Sequence, residues 1–325
     1  MVSTSVESSV VDSERASAQA RPKAPSTLAI WAAMMGIFIA WGSTYLAIKF
    51  AVETMPPFLM AATRFLIAGS ALFIFLRLRG VPAPSDREWR SAAIIGLLLL
   101  LGGNGSVVWA ENDARVASGH AALIVSATPL WMVLIDALRP GGQKPSWLAM
   151  AGMLVGFAGV VYLIGPGLSG RTDRIDLAGA GALIFATVAW AIGSLYSRQA
   201  ALPPSPLLGT SMEMMLGGLG LLAFGTVTGD WGRLNVASIS RESWLGLAYL
   251  IVFGSWVGFG SYTWLLRVAP TSLVSTYAYV NPIVAVLIGN WLAHEPLTPR
   301  TLIAATFIVG SVALTTIASQ RRKPN

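Results

Sequence analysis

Trp41-Gly42-Ser43-Thr44-Tyr45 lies in the first long apolar run of the chain, and Trp190-Ala191-Ile192-Gly193-Ser194-Leu195-Tyr196 lies in the sixth. Outward from this pair, the sequence reads as one pattern written twice. Pro56-Pro57 recurs as Pro203-Pro204. Thr63-Arg64-Phe65-Leu66-Ile67-Ala68-Gly69 recurs as Met212-Glu213-Met214-Met215-Leu216-Gly217-Gly218, and Pro129 in the fourth run recurs as Pro282 in the ninth. Trp41, Arg64 and Pro129 meet their counterparts in order, at offsets of 149 to 153 residues (213 less 64, 282 less 129). With five spans in each copy, the two copies enter the bilayer in opposite orientations. That is the inverted-repeat plan of secondary transporters, with a site at the midplane between the halves.

A soluble protein carries about 25% charged residues. This chain of 325 residues carries 11%, with 54% hydrophobic residues and a mean hydropathy of +0.65. The apolar residues come in long blocks, which marks a polytopic protein embedded in lipid rather than a soluble domain with a large core. Cys is absent, so a disulfide framework, a thiolate metal site and a Cys nucleophile are excluded. The net charge of +7 is carried at helix ends, where topology explains it, so a nucleic-acid partner is not expected. Residues 1–27 are polar and rich in Ser and Ala, and no apolar stretch follows a basic start. They read as a disordered cytoplasmic tail, not a cleaved signal peptide.

Ten segments are apolar and long enough to cross a bilayer: 28–49, 57–79, 91–110, 116–138, 146–165, 176–198, 205–228, 243–266, 271–293 and 299–318. The first repeat then occupies 28–165 and the second 176–318, and 319–325 form a basic cytoplasmic tail. Placing both termini in the cytoplasm puts fourteen Lys and Arg inside, seven outside and Arg64 within a span, which accounts for all 22. The two-to-one bias supports that orientation in the cytoplasmic membrane. The longest links, 166–175 and 229–242, are too short to hold a domain, so function is expected within the bilayer.

Arg64 and Glu213 are the ionisable residues expected deep in spans. At 1.5 Å per residue, Arg64 stands about 10 Å from the outer end of span 2 and Glu213 about 12 Å from the inner end of span 7. A charge at that depth costs about 3 kcal/mol, so each needs a partner or water. The two are expected to pair, directly or through water, and to gate or couple the halves; a static ion pair or separate capped charges is the alternative. Span 9 holds the densest polar cluster, Thr271, Ser272, Ser275, Thr276, Tyr277, Tyr279 and Asn281, ending at Pro282. Pro129 and Pro282 each remove a backbone donor and free a carbonyl four residues back, so both are expected to kink their helices beside a cavity. Trp41, Trp131, Trp190, Trp256 and Trp264 fall deeper than an interfacial belt would place them, and a deep indole N–H needs an acceptor. Asn104 is the most polar uncharged side chain deep in span 3. His120 and His294 stand near outer span ends with no partner at helical spacing, so no metal site is expected. Gly152-x-x-x-Gly156 and Gly254-x-x-x-Gly258 are weak packing signals that leave a homodimer possible.

Together, Trp41 to Tyr45, Ala61-Ala62-Thr63-Arg64-Phe65, Ala117-Ser118-Gly119 with Thr128-Pro129, and Tyr277-Ala278-Tyr279-Val280-Asn281-Pro282 followed by Glu295-Pro296-Leu297 are similar to the drug/metabolite transporter superfamily, in its EamA-type branch. The resemblance runs from Leu28 to Ser319. It implies two inverted five-helix repeats around a central cavity and export of small metabolites, amino acids among them, with no cofactor. Cavities of relatives that move phosphorylated sugars carry clustered cations; Arg64 alone argues against a dianionic substrate.

The expected protein is thus an all-α integral membrane exporter of neutral or zwitterionic small molecules. Trp41, Asn104, Trp190, Trp256, Tyr277 and Asn281 are its expected cavity residues. A passive channel is the rival. An intramembrane enzyme would need clustered acids or histidines that the spans lack.

Overall fold

The computed structural model describes residues 26–112, 115–140, 144–165, 175–269, 271–274 and 276–320, and the side chains at these positions except 263, 266, 267, 271, 272, 319 and 320. The two expected tails, and Ser275 with the side chains of Thr271 and Ser272 from the span 9 cluster, lie wholly or almost wholly outside the described residues. Most of what is described is helical, and no strand occurs among the described residues. The segments are α1 (Thr27–Val52), α2 (Pro57–Leu78), α3 (Asp86–Glu111), α4 (Ser118–Leu138), α5 (Trp147–Ile164), α6 (Leu177–Ser197), α7 (Pro206–Val227), α8 (Arg241–Tyr249, continuing through Leu250–Val257 to Gly258–Val268), α9 (Thr271–Val274 and Tyr277–Ala293) and α10 (Pro299–Gln320). α3 begins five residues before the expected 91, because Ser85 and Glu88 form a capping box that extends it into water.

Four helices depart from regular α geometry, and they do so in pairs. α3 widens to a π-helix over Leu97–Gly105, and α8 does so over Leu250–Val257. The Oγ of Ser255 donates to the Leu250 carbonyl, 3.1 Å away, which serves one of the carbonyls displaced from the usual ladder. α4 breaks at Ser126-Ala127, and in α9 Thr276 forms a turn before the helix Tyr277–Ala293. The break in α4 falls in the turn just before Pro129, and the turn in α9 falls further ahead of Pro282. Pro129 stands in the first turn of the second half of α4, where its missing N–H costs nothing. Pro282 lies inside the unbroken piece Tyr277–Ala293, so the interruption of α9 falls before it. In α4 the hydroxyls of Ser126 and Thr128 donate to the carbonyls of Leu123 and Val125, both at 2.7 Å. Pro129 cannot serve the Val125 carbonyl, and Thr128 does so instead.

The packing between helices follows the repeat in the sequence. α1 packs on α8 and α9, and α6 packs on α3 and α4. α2 lies against α7, α5 against α10, and α4 against α9. At the α2–α7 crossing a Cβ on Gly69 would come 2.9 Å from the Met215 backbone, and one on Gly218 would come 3.0 Å from Leu66. Gly69 and Gly218 are counterparts, as are Leu66 and Met215, so the contact is reciprocal. The pattern fails at one end. α1 packs on the end of α3 (Ser106–Glu111) and the start of α4 (Ser118–Val125), whereas α6 makes no comparable packing with α8 or α9 among the described residues. Both Gly-x-x-x-Gly signals are spent within the chain: Gly152 and Gly156 face Thr315 and Ser311 of α10, and Gly254 and Gly258 face Arg64, Thr44 and Trp41. Neither remains as a surface for a second copy.

Candidate transport pathway

Helix α1 places Trp41, Tyr45 and Lys49 four residues apart, on one face. Trp41 lies against the wide-wound part of α8. Its Nε1 donates to the Gly254 carbonyl at 3.2 Å, and a Cβ on Gly258 would overlap the indole ring. Three rings surround Trp41: Phe259 with centroids 5.3 Å apart, Tyr262 at 5.3 Å and Tyr277 at 5.2 Å. Such edge and tilted contacts suit aromatic quadrupoles. Asn281 lies one turn beyond Tyr277, is 8% exposed, and leaves Oδ1 without a hydrogen bond. Trp41, Tyr277 and Asn281 therefore come together where α1, α8 and α9 meet.

The second copy builds a parallel arrangement. Trp190 of α6 lies against the π-helical part of α3, where a Cβ on Gly103 would come 2.8 Å from the indole. Asn104 follows Gly103, and its Oδ1 is likewise buried without a hydrogen bond. Thus Trp41 and Trp190 are counterparts set against the two wide-wound helices, Trp41 at the end of that segment of α8 and Trp190 within that segment of α3. Trp256 belongs to neither group. It lies two residues from Gly254, on the opposite side of α8, is 40% exposed, and donates Nε1 to the Ala68 carbonyl of α2 at 3.0 Å. Of the other deep tryptophans, Trp131 packs on Phe157 at 4.8 Å and Trp264 faces outward.

Arg64 and Glu213 do not form an ion pair. Arg64 Nε donates to the Ser255 Oγ at 3.2 Å, its guanidinium lies 4.6 Å from the Phe65 ring centroid, and Nη1 has no partner. The glycine at 254 leaves room for that guanidinium; a Cβ there would stand 2.8 Å from Nη2. The backbone of Glu213 abuts Gly96 of α3. The two residues thus sit at matching crossings, α2 with α8 and α7 with α3, rather than facing each other.

The reading of the sequence missed a charged cluster at the end of the bundle where α1 finishes. Glu295, in the link after α9, accepts from Lys49 Nζ at 2.9 Å, from the Ser118 N–H at 3.0 Å and Oγ at 2.9 Å, and from the Gly119 N–H at 3.0 Å. It caps α4, and a carboxylate is favoured at that positive helix end. Glu111 is buried within electrostatic range of Glu295 and Lys49 and of Tyr45. On the same face of the bundle Asp230 caps α2 by accepting from Phe58 and Leu59 N–H at 3.0 and 3.3 Å. The four-residue spacing of Trp41, Tyr45 and Lys49 was the available signal. The partners from α3 and the α9–α10 link are distant in sequence. His120 Nε2 lies 2.9 Å from the Thr301 Oγ1, tying α4 to α10. Among the described residues no group of three metal-ligating side chains gathers.

A polytopic helical bundle with paired broken and paired wide-wound helices at its centre is a membrane transporter for small molecules, not an enzyme. The chain belongs to the EamA-like transporter family, whose profile matches residues 27–165 and again 177–317. It is 38% identical over 291 residues to the uncharacterized inner membrane transporter YedA of Escherichia coli (strain K12), covering 89% of this chain and 91% of that one. It is 25% identical over 288 residues to the WAT1-related protein At3g02690, chloroplastic, of Arabidopsis thaliana, covering 87% and 68% of the two chains. One solved crystal structure superimposes with a TM-score of 0.60 at 20% identity, covering 91% of this chain and 100% of that chain, a likeness of fold alone.

Proposed function

We propose that this chain exports small neutral or zwitterionic metabolites by alternating access between two inverted five-helix repeats, with both termini in the cytoplasm. The observation that carries the reading is the pair of indoles set against π-helical segments: Trp41 bonded to the Gly254 carbonyl within that part of α8 and packed on Gly258 just after it, and Trp190 packed on Gly103 within that part of α3. Segments without a regular hydrogen-bond ladder are the places where helices can shift, and π-bulges recur at functional sites. The family profile matching twice and the reciprocal Gly69 and Gly218 contacts support the two-fold plan. Trp41, Trp190 and Tyr277 offer apolar faces, while Asn104 and Asn281 offer amides to a substrate's polar ends. Trp256 is not part of this site. Arg64 holds α8 against α2, and Pro129 and Thr128 set the break in α4.

Right-side-out vesicles loaded with unlabelled amino acids, tested against each labelled amino acid in turn, separate the readings. A carrier gives saturable flux and counterflow for at least one of them, and truncating Trp41, Asn104, Trp190, Tyr277 and Asn281 together abolishes it. Linear flux without counterflow would make the chain a passive channel.

A further inference from the structure

We propose that Glu111 is a proton-binding site at the outer end of the bundle, and that its proton decides whether that end is shut or open to water. The inference rests on the alternating-access reading and adds the residue that gates one side.

Glu111 ends α3 at 2% exposure, and neither carboxyl oxygen has a hydrogen-bond partner. Among the described residues the ammonium near it is Lys49 Nζ, which is already held 2.9 Å from Glu295. Glu295 is saturated by that ammonium, by two backbone N–H groups and by the Ser118 hydroxyl. An ionised Glu111 would therefore place two negative charges against one positive charge in a closed site, with no donor for the second carboxylate. A buried charge left in that condition is strongly unfavourable. With a proton on Glu111 the cluster is neutral. Opening the outer end lets water reach the carboxyl and favours its ionisation. Binding of a proton from outside then favours closure, and losing it favours opening.

The groups around Glu111 have other engagements. From α1 come Tyr45 and Lys49, and from the α9–α10 link comes Glu295. Arg115, just after α3, lies 4.7 Å from the Trp109 ring centroid. Asp176 caps its own helix α6 through the Gly179 N–H at 2.9 Å. His120 of α4 is turned to Thr301, and Arg64 of α2 to Ser255. Among the described residues the device has no counterpart at the other end. Arg198, the counterpart of Lys49, is exposed, and the packing of α1 on α3 and α4 has no equal around α6 among them. A titratable clasp at one mouth of a two-fold scaffold is what would make the two mouths respond differently to pH.

The chain contains no Cys, so a Glu53→Cys, Leu297→Cys pair carries spin labels cleanly on the end of α1 and the α9–α10 link. Distances between the labels are measured in lipid nanodiscs from about pH 5 to about pH 9. The expected result is a short-distance population at acid pH and a longer one that grows several-fold as the pH rises. Glu111→Gln in this background stays at the short distance throughout. Glu111→Asp, which keeps a carboxyl, still titrates and shows that the site folds when altered. A pH-insensitive parent, or a Glu111→Gln protein that titrates like the parent, overturns the proposal. Because no substrate is needed, this failure is distinct from failure of counterflow in vesicles.

Discussion

Glu295 gathers an ammonium, two N–H groups and a hydroxyl on one carboxylate. Burial by itself pushes its carboxyl up, but the Lys49 ammonium and the Gly119 and Ser118 N–H groups outweigh burial and hold it below the usual carboxylate range. A carboxyl with a depressed folded value contributes stability that is complete above the ordinary range and is lost as the pH falls through the folded value. The part of the melting temperature in detergent that Glu295 supplies, read as the parent less Glu295→Gln, is therefore expected to be constant above about pH 6 and to be lost below about pH 4. Glu295→Gln should cost about 3 kcal/mol near neutrality, since it strands Lys49 and part of the α4 cap, and should flatten the acid fall. An unchanged acid fall in that variant would assign it to other carboxylates. Among residues, Trp41, Trp190, Tyr277 and Asn281 could be picked out beforehand because they are polar or aromatic in apolar surroundings. Glu111 could not: it ends a span beside Asn112 and Asp113 and reads as the start of a loop. Only folding buries it.

At the level of single helices, the breaks matter more than the spans. Thr128 exists to serve a carbonyl that Pro129 cannot, with its Oγ1 2.7 Å from the Val125 oxygen. Thr128→Val removes that donor and leaves a buried acceptor, at a cost of about 1 kcal/mol. Restoring the backbone donor with Pro129→Ala should erase the cost, so a double-mutant cycle on thermal stability should show coupling of about the same size. Additive effects would mean that Val125 is served by something else. The prolines were visible in sequence, and the break in α4 lies in the turn that Pro129 leaves without a donor, but the turn of α9 at Thr276, ahead of Pro282, was not legible there. A proline states which donor is missing; whether the helix bends there or begins there depends on which hydroxyls and neighbouring helices take up the carbonyls. The π-helical segments of α3 and α8 were likewise hidden. Gly102-Gly103-Asn104-Gly105 and Gly254-Ser255-Trp256-Val257-Gly258 show small residues, and wide winding is one of several uses for them.

For the whole molecule, the proposed orientation makes a test that needs no substrate. Single Cys residues added at Ser26 and Ser319 in this Cys-free chain should react with an impermeant maleimide only when the cytoplasmic face is exposed. Opposite accessibility of the two ends would remove the even number of crossings and the inverted arrangement with it. Hydropathy determined by itself that the chain is an all-helical membrane protein of ten apolar segments, and its motifs' likeness to a known family carried the transporter reading. Hydropathy could do so because a bilayer leaves a spanning segment little choice but an apolar helix. Only the tertiary structure decided that Arg64 holds Ser255 rather than Glu213, that Trp256 bonds the Ala68 carbonyl of α2, and that Lys49, Glu111 and Glu295 gather at one end of the bundle. Those outcomes depend on which faces of distant helices come into register, and periodicity within a single span carries no record of its neighbours.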